Sequence, residues 1–213
     1  MKILVLQVSV WVLIVTLLSC NTKEVKTEPL DKKVSVKDTL HPITPETENA
    51  YAPVDISPMD MSYYPADYPK LKMENKNMAL PIMRVIYSRP HLQGRKLFTN
   101  VLRYGEPWRL GANESTEIQF YRNATIQSKA IKAGRYVLYC IPQTDKWEIV
   151  LNTNIDSWGL KQDTTKDIQH FAIPVTHHNR ALEYLTLVFE KTKTGANLII
   201  AWDEELVKLP IDF

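Results

Sequence analysis

Short runs in which apolar and polar residues alternate recur from Ile82 almost to the end of the 213-residue chain. Successive side chains of a β-strand point to opposite faces, so this pattern predicts strands with one buried face. The i, i+3, i+4 spacing that is typical of a surface helix is almost absent. The folded part of the chain is therefore predicted to be all-β.

The candidate strands are residues 82–88, 116–122, 135–141, 146–152, 168–174, 182–190, 197–203 and 206–211. Turn-forming sequences such as Ala133-Gly134, His177-His178-Asn179 and Lys193-Thr194-Gly195 separate several of them. Many short strands with such turns predict a two-sheet antiparallel β-sandwich, which we place at residues 58–213. The side chains expected to point inward are Ile118, Phe120, Ile149, Leu151, Leu198 and Ile200.

One long connection, residues 89–115, interrupts this rhythm. It contains Leu97, Phe98 and Trp108, and is too apolar for a disordered segment. Loops of this length are usually functional or disordered, so we expect a partly helical or irregular loop with a role of its own. A second long connection, residues 153–167, carries Trp158-Gly159.

The first twenty residues contain one lysine and then an apolar run that ends at Leu17-Leu18-Ser19-Cys20. This ending resembles the lipobox of bacterial lipoproteins, in which a small residue precedes the cut and the cysteine carries the lipid. We therefore expect a signal peptide over residues 1–20 and lipidation at Cys20. An uncleaved anchor is the alternative, because roughly 17 apolar residues is the lower limit for spanning a bilayer. In both cases the rest of the chain lies in the cell envelope, on the periplasmic face of a membrane or at the cell surface.

Residues 21–57 are rich in Lys, Thr, Glu, Asp and Pro, and contain no glycine. Such a stretch cannot bury enough apolar surface to offset the entropy lost on ordering. We expect a disordered tether that holds the following domain away from a membrane.

Several function classes are disfavoured by what the sequence lacks. Lys and Arg number 26 against 24 Asp and Glu, so no basic field predicts nucleic-acid binding. Phosphate-binding loops, dinucleotide-binding loops and the usual hydrolase and metalloprotease motifs are missing. The five histidines are scattered, so no metal site and no cofactor are expected. Cys140 alternates with Tyr136 and Leu138, which favours a small buried side chain over a reactive thiol.

The best candidate for a ligand site is the segment from Trp108 to Glu114. It combines an indole face, a guanidinium with five donors, an amide and a carboxylate within seven residues. These groups suit a polar, ring-bearing ligand such as a sugar or a peptidoglycan fragment. The candidate binding residues are Arg89, Trp108, Arg109, Asn113 and Glu114. Arg89 and the nearby Arg95 fit a binding role or a structural role equally well.

A structural interpretation of the same segment stays open. Arg109 would pair with Glu114, Asn113 would close a turn on backbone groups, and Trp108 would plug the end of the sandwich. A loop packed against a sheet needs such internal partners wherever its backbone is buried.

The order and spacing of several motifs resemble an uncharacterised family of secreted Gram-negative lipoproteins, domain-of-unknown-function family 2911. The matching elements are Tyr87-Ser88-Arg89-Pro90, Gly94-Arg95 with Phe98, Tyr104-Gly105, the segment from Trp108 to Thr116, Ala133-Gly134, Ile141-Pro142, Trp147, Asn152, Trp158-Gly159 and Ala201-Trp202. The chain departs from the family pattern at Thr99, Arg103 and Ser128, where the local turns are affected. The resemblance implies an envelope lipoprotein. The family has no established activity, so the resemblance does not indicate a reaction.

Two functions are compatible with these features. We favour a non-catalytic binding or scaffold module for a polar ligand such as a glycan or a peptide, attached to a bacterial membrane by its lipid. The alternative is a carbohydrate- or peptide-active hydrolase that uses Glu114 as its acid or base.

Overall fold

The computed structural model describes residues 55–213. The predicted signal peptide, Cys20 and nearly all of the predicted tether lie outside the described residues. Within residues 55–213 the regular structure consists of nine strands and one α-helix: β1 (Met59–Tyr64), α1 (Tyr68–Glu74), β2 (Met83–Ser88), β3 (Glu117–Phe120), β4 (Ala124–Ile126), β5 (Lys129–Ile131), β6 (Gly134–Pro142), β7 (Lys146–Asn152), β8 (Asp167–Lys191) and β9 (Gly195–Asp212). The all-β prediction is confirmed.

The strands form one connected antiparallel sheet in the order β1-β2-β3-β6-β7-β8-β9-β4-β5. Two separate packed sheets are not confirmed, because β8 first pairs with β7 and then continues to pair with β9. The four candidate strands at residues 168–174, 182–190, 197–203 and 206–211 are parts of these two long strands. The predicted turn at His177-His178-Asn179 is wrong: these residues lie inside β8, where its register with β9 shifts.

The sheet curls so that its first strands contact the far half of β8. The Ser62 hydroxyl donates to the Leu187 carbonyl at 2.6 Å, and the Leu187 amide donates to the Tyr87 hydroxyl at 3.1 Å. The segment after β2 also pairs with β8, since the Leu92 amide donates to the Glu183 carbonyl at 3.0 Å. One core therefore lies inside a single folded sheet.

The alternating pattern assigns the buried face correctly. The six residues predicted to point inward are all at most 2% exposed. The largest fully buried side chains include Trp147, Trp202, Phe120 and Phe171. Cys140 is also fully buried, in agreement with its predicted packing role, and this burial raises the pKa of its thiol.

Two short helical turns lie in the long connections, a π-helical turn at Leu97–Val101 and a 3-10 turn at Thr164–Lys166. The prediction of a partly helical loop at residues 89–115 is thus confirmed. None of the helices within residues 55–213 is both long and apolar enough to cross a membrane.

Tyr87 should make the fold sensitive to alkaline pH. Its side chain is 1% exposed, and burial above all raises the pKa of Tyr87 to about 12. The neutral hydroxyl donates to Asp60 at 3.2 Å and accepts from Leu187, and ionisation would place a phenolate beside the Asp60 carboxylate. Because the folded-state pKa lies above the unfolded value of about 10, this contribution to stability is complete below pH 10 and declines towards pH 12.

We expect about 2–3 kcal/mol of unfolding free energy to be lost through Tyr87 across this interval. Urea unfolding at a series of pH values measures it. The Tyr87→Phe variant should show a shallower decline, and Tyr184→Phe, which changes an exposed tyrosine, should follow the parent. Equal declines in the parent and Tyr87→Phe would contradict the assignment.

Candidate functional site

Trp108 is fixed next to the sheet by its backbone. Its amide donates to the Cys140 carbonyl at 2.7 Å, and its carbonyl accepts from the Cys140 amide at 2.9 Å. These bonds place Trp108 beside β6, next to the point where β3 begins at Glu117. Its half-buried indole stacks on Trp202 with centroids 5.6 Å apart and meets Trp147 edge-on at 6.0 Å. Trp108 therefore joins the core to the long loop.

The residues after Trp108 are held by bonds within the loop and to β2. Leu110 is fully buried with φ +54°, and its carbonyl accepts from the Thr116 hydroxyl at 2.8 Å. The indole N–H of Trp108 donates to the Gly111 carbonyl at 3.2 Å, and the Ala112 amide donates to the Ser88 carbonyl at 3.4 Å. This network gives the loop a fixed shape.

Arg109 lies against the second long connection. Gly159 has φ +74°, and a β-carbon there would lie 3.1 Å from the Arg109 β-carbon and collide with the Ser115 hydroxyl. The glycine thus permits a close approach of the two loops. One guanidinium N–H of Arg109 reaches the Trp158 carbonyl at 3.5 Å. Burial lowers the pKa of Arg109, while the charge of Glu114 opposes this shift.

A cleft of about 500 Å³ opens where these elements meet. This volume is within the range of small-molecule sites. The residues that line it are Ile56, Ser57, Pro90, Arg95, Val101, Leu102, Arg103, Glu106, Pro107, Trp108, Arg109, Gly111, Ala112, Gly159, Leu160 and Trp202.

The lining is basic. It contains Arg95, Arg103 and Arg109 but only one carboxylate, Glu106, which leaves two net positive charges. Arg103 faces Glu106 at 3.6 Å. Arg95 is oriented by its own segment, since its guanidinium donates to the carbonyls of Leu92 at 2.8 Å and His91 at 2.9 Å.

The structure brings together only part of the predicted site. Trp108 and Arg109 line the cleft, whereas Arg89, Asn113 and Glu114 do not. Arg89 instead donates to the Leu185 carbonyl at 3.1 Å and lies 3.6 Å from Asp60, which ties β1 to β8. Asn113 donates to the Asp55 carboxylate at 2.7 Å.

The structural interpretation is met in part as well. Among the described residues, no ion pair joins Arg109 to Glu114, which is exposed. Asn113 has φ +55°, but its side chain bonds the Asp55 carboxylate and, at 3.4 Å, the Ser57 carbonyl, so it ties the loop to the segment before β1 rather than closing a turn of its own. Trp108 packs on the core and lines the cleft at once.

Sequence reasoning missed most of the other residues that line the cleft, among them the distant Ile56, Leu160, Trp202 and Gly159. Two of them belong to motifs that carry the family resemblance, Trp158-Gly159 and Ala201-Trp202. That resemblance was the signal that could have found them, because nothing local connects them with Trp108. Within residues 55–213, no three His, Cys, Asp or Glu side chains gather as a metal-binding group.

Asn113 and Glu114 should differ in their effect on stability. Asn113→Ala removes the bonds to Asp55 and Ser57 and places alanine at positive φ, so we expect a loss of about 1–2 kcal/mol. Glu114→Ala removes an exposed side chain and should change stability by less than about 0.5 kcal/mol. Thermal unfolding of both variants beside the parent measures this difference.

Asn113→Gly is the matched control, because glycine accepts positive φ but makes no side-chain hydrogen bond. Asn113→Gly should therefore be more stable than Asn113→Ala by the cost of placing alanine at positive φ. A Glu114→Ala variant that is less stable than Asn113→Ala would contradict the placement of both side chains.

Comparison with known proteins identifies the family of the folded region. The family model described as "Protein of unknown function (DUF2911)" matches residues 69–211, more than half of the chain. No curated protein and no solved structure shows significant similarity. The matched region holds β2 to β8, all of β9 except its last residue, and most of the cleft lining. The chain belongs to the DUF2911 family, as its motifs predicted.

Proposed function

We propose that the chain is a lipid-anchored protein of the cell envelope whose folded part binds a polar, ring-bearing ligand, such as a glycan or a peptide, without transforming it. The cleft lined by Trp108 and Arg109 is the observation that carries this proposal. An aromatic surface beside fixed hydrogen-bond donors is the usual make-up of a site for such ligands.

Rigid surroundings support a recognition role. Trp108 is held by backbone bonds to Cys140 and by Trp202, and Gly159 limits the space around Arg109. A site that is formed before the ligand arrives loses less entropy on binding.

The hydrolase alternative gains no support from this geometry. Glu114 is exposed and does not line the cleft. Glu106 is the one carboxylate in the lining, whereas glycoside hydrolysis usually requires a pair of carboxyl groups.

Titration with soluble muropeptides tests the proposal, because these fragments of peptidoglycan present both sugar rings and peptides. The full chain should be used in a detergent without a sugar headgroup, and calorimetry should show saturable binding. Trp108→Ala should weaken binding at least about tenfold, since truncating an aromatic anchor commonly costs more than 1 kcal/mol. The affinity of Trp108→Phe should lie between those of the parent and Trp108→Ala.

Tyr121→Ala is the matched control, since Tyr121 is a half-buried aromatic residue outside the cleft lining. It should bind like the parent. Absence of saturable binding, or equal losses in Trp108→Ala and Tyr121→Ala, would refute the proposal. Release of a cleaved product during the titration would favour the hydrolase.

Lipidation at Cys20 forms the anchoring part of the proposal. Mass spectrometry of the mature protein should find a diacylglyceryl group on Cys20 at the N-terminus. Cys20→Ser should abolish this modification and remove the protein from the membrane fraction. An intact Met1, or a Cys20→Ser variant that fractionates with membranes as before, would contradict lipidation.

A further inference from the structure

Arg109 combines partial burial with the absence of a contacting carboxylate. Among the described residues, no acidic side chain comes within ion-pairing distance of its guanidinium. Within residues 55–213 its side chain makes one hydrogen bond, to the Trp158 carbonyl, which is long at 3.5 Å. A guanidinium has five donors, so most of those on Arg109 remain available to a ligand.

The attraction between a partly desolvated cation and an anion beside it is stronger than between the same charges in bulk water. Arg109 and Trp108 are adjacent in sequence and both line the cleft, so the two residues lie close together there. The stem of Arg109 contacts Gly159, and this packing restricts the movement of the side chain. The guanidinium is thus positioned in advance for a planar partner.

The neighbouring charges support the same conclusion. Arg103 is opposed by Glu106 at 3.6 Å, so the net positive charge of the cleft comes from Arg95 and Arg109. Arg95 is oriented by its bonds to the His91 and Leu92 carbonyls.

On the basis of the proposed function, we propose that the ligand is an acidic sugar. Its carboxylate binds the guanidinium of Arg109 with support from Arg95, and its ring lies against Trp108. Exposed apolar side chains at the mouth of the cleft, Ile56 and Leu160, contact small methyl-bearing substituents of the sugar.

A carboxylate fits this site better than a phosphate. A carboxylate has one charge and two coplanar oxygens, which match the two parallel donors of one guanidinium. The second charge of a phosphate dianion would have to be balanced by Arg95, because Arg103 already faces Glu106, and part of the Arg95 guanidinium is engaged by the His91 and Leu92 carbonyls. A neutral sugar would leave Arg109 without a contacting carboxylate, since Glu114 acts on its charge only from beyond ion-pairing distance among the described residues.

Three related sugars test the inference on the full chain in the same detergent. N-acetylmuramic acid carries a lactyl carboxylate, N-acetylglucosamine has the same ring without it, and N-acetylglucosamine 6-phosphate carries a phosphate instead. Calorimetry should give an affinity for N-acetylmuramic acid at least about tenfold higher than for N-acetylglucosamine, because hydrogen bonds to charged groups are the stronger ones. The affinity for N-acetylmuramic acid should also exceed that for N-acetylglucosamine 6-phosphate, whose charged group lies at a different position on the ring.

Variants identify the group that recognises the acid. Arg109→Ala should bring the preference for the acid over the neutral sugar close to one. Arg109→Lys keeps the charge without the paired donors, and should retain only part of the preference. Arg180→Ala removes an exposed arginine outside the lining and should leave the preference unchanged. Both sugars are measured on each variant, so a general loss of folding does not imitate the result.

Equal affinities for the acid and neutral sugars would overturn the inference and leave ring binding intact. Tighter binding of the phosphate sugar would overturn it in favour of a phosphate site. Binding of none of the three would also overturn it, while the muropeptide titration decides the proposed function separately.

Discussion

Replacing Gly195 with alanine is expected to prevent the folded part of the chain from reaching a stable native state. Gly195 begins β9, and a β-carbon added there would collide with the Ile211 carbonyl and lie 2.9 Å from the α-carbon of Asp212. Both obstacles are backbone atoms, which cannot move without displacing the last residues of β9.

The surroundings of Gly195 leave little room for adjustment. Its carbonyl accepts hydrogen bonds from the Tyr64 hydroxyl and the Thr192 amide, both at 3.0 Å, so β1 and the β8–β9 hairpin meet there. We expect Gly195→Ala to lose more than about 4 kcal/mol, a large fraction of the stability of an ordinary domain. Circular dichroism during heating should show no cooperative transition at the parent's temperature.

Gly105→Ala is the matched control. A β-carbon at Gly105 would meet nothing within 4 Å, but its φ of +78° disfavours alanine, so the loss should be about 1 kcal/mol. A Gly195→Ala variant that melts like the parent would show that the hairpin is packed differently.

Truncation of Trp147 is expected to have the second-largest effect. Trp147 is fully buried on β7 and meets Phe98 and Trp108 edge-on, with centroids 6.3 and 6.0 Å away. Trp147→Ala should destabilise the fold by about 3–5 kcal/mol, through lost apolar burial and the cavity left behind. Because Trp108 packs against Trp147 and lines the cleft, we also expect Trp147→Ala to change the shape of the cleft.

Phenylalanine at position 147 separates packing from hydrogen bonding. Within the described residues the indole N–H of Trp147 has no hydrogen-bond partner, so Trp147→Phe leaves no acceptor unpaired. Its loss should be about 1–2 kcal/mol, from volume alone. Trp158→Ala, at a side chain that is 54% exposed, should lose less than about 1 kcal/mol. Chemical denaturation that ranks Trp158→Ala at or above Trp147→Ala would contradict this account.

Much of the fold follows from the alternating pattern. Residues 146–152 were predicted with the bounds that β7 has, and Ile118, Phe120 and Leu198 are buried as expected. The pattern works there because one face of each strand is buried and the other is wetted.

The sequence did not reveal how the strands join. β8 continues through His177 to Asn179, a polar stretch that local rules assign to a turn, because pairing with β9 resumes beyond the shift in register. The missed strands β4 and β5 have three residues each, too few to show a period. β1 was missed because its pattern precedes the region where alternation is regular.

Only the part of the candidate site that comes from one continuous segment was predictable from the sequence. Trp108 and Arg109 stood out because their chemistry lies in one segment, and both line the cleft. Trp202 and Gly159 reach the cleft from β9 and from the second long connection, and tertiary packing decides this. Asn113 and Glu114 are adjacent in sequence to the cleft residues, but Asn113 turns towards Asp55 and Glu114 is exposed.

The most direct test of ligand binding in the cleft is a ¹H–¹⁵N spectrum of the indole groups during titration of the full chain with soluble muropeptides. The four tryptophans of the folded part, Trp108, Trp147, Trp158 and Trp202, give separate indole signals, which single Trp→Phe variants assign; the fifth, Trp11, belongs to the predicted signal peptide. If the ligand occupies the cleft, the signals of Trp108 and Trp202 should shift progressively and saturate together. If these two signals stay fixed while signals elsewhere move, or if none moves, the cleft is not the binding site.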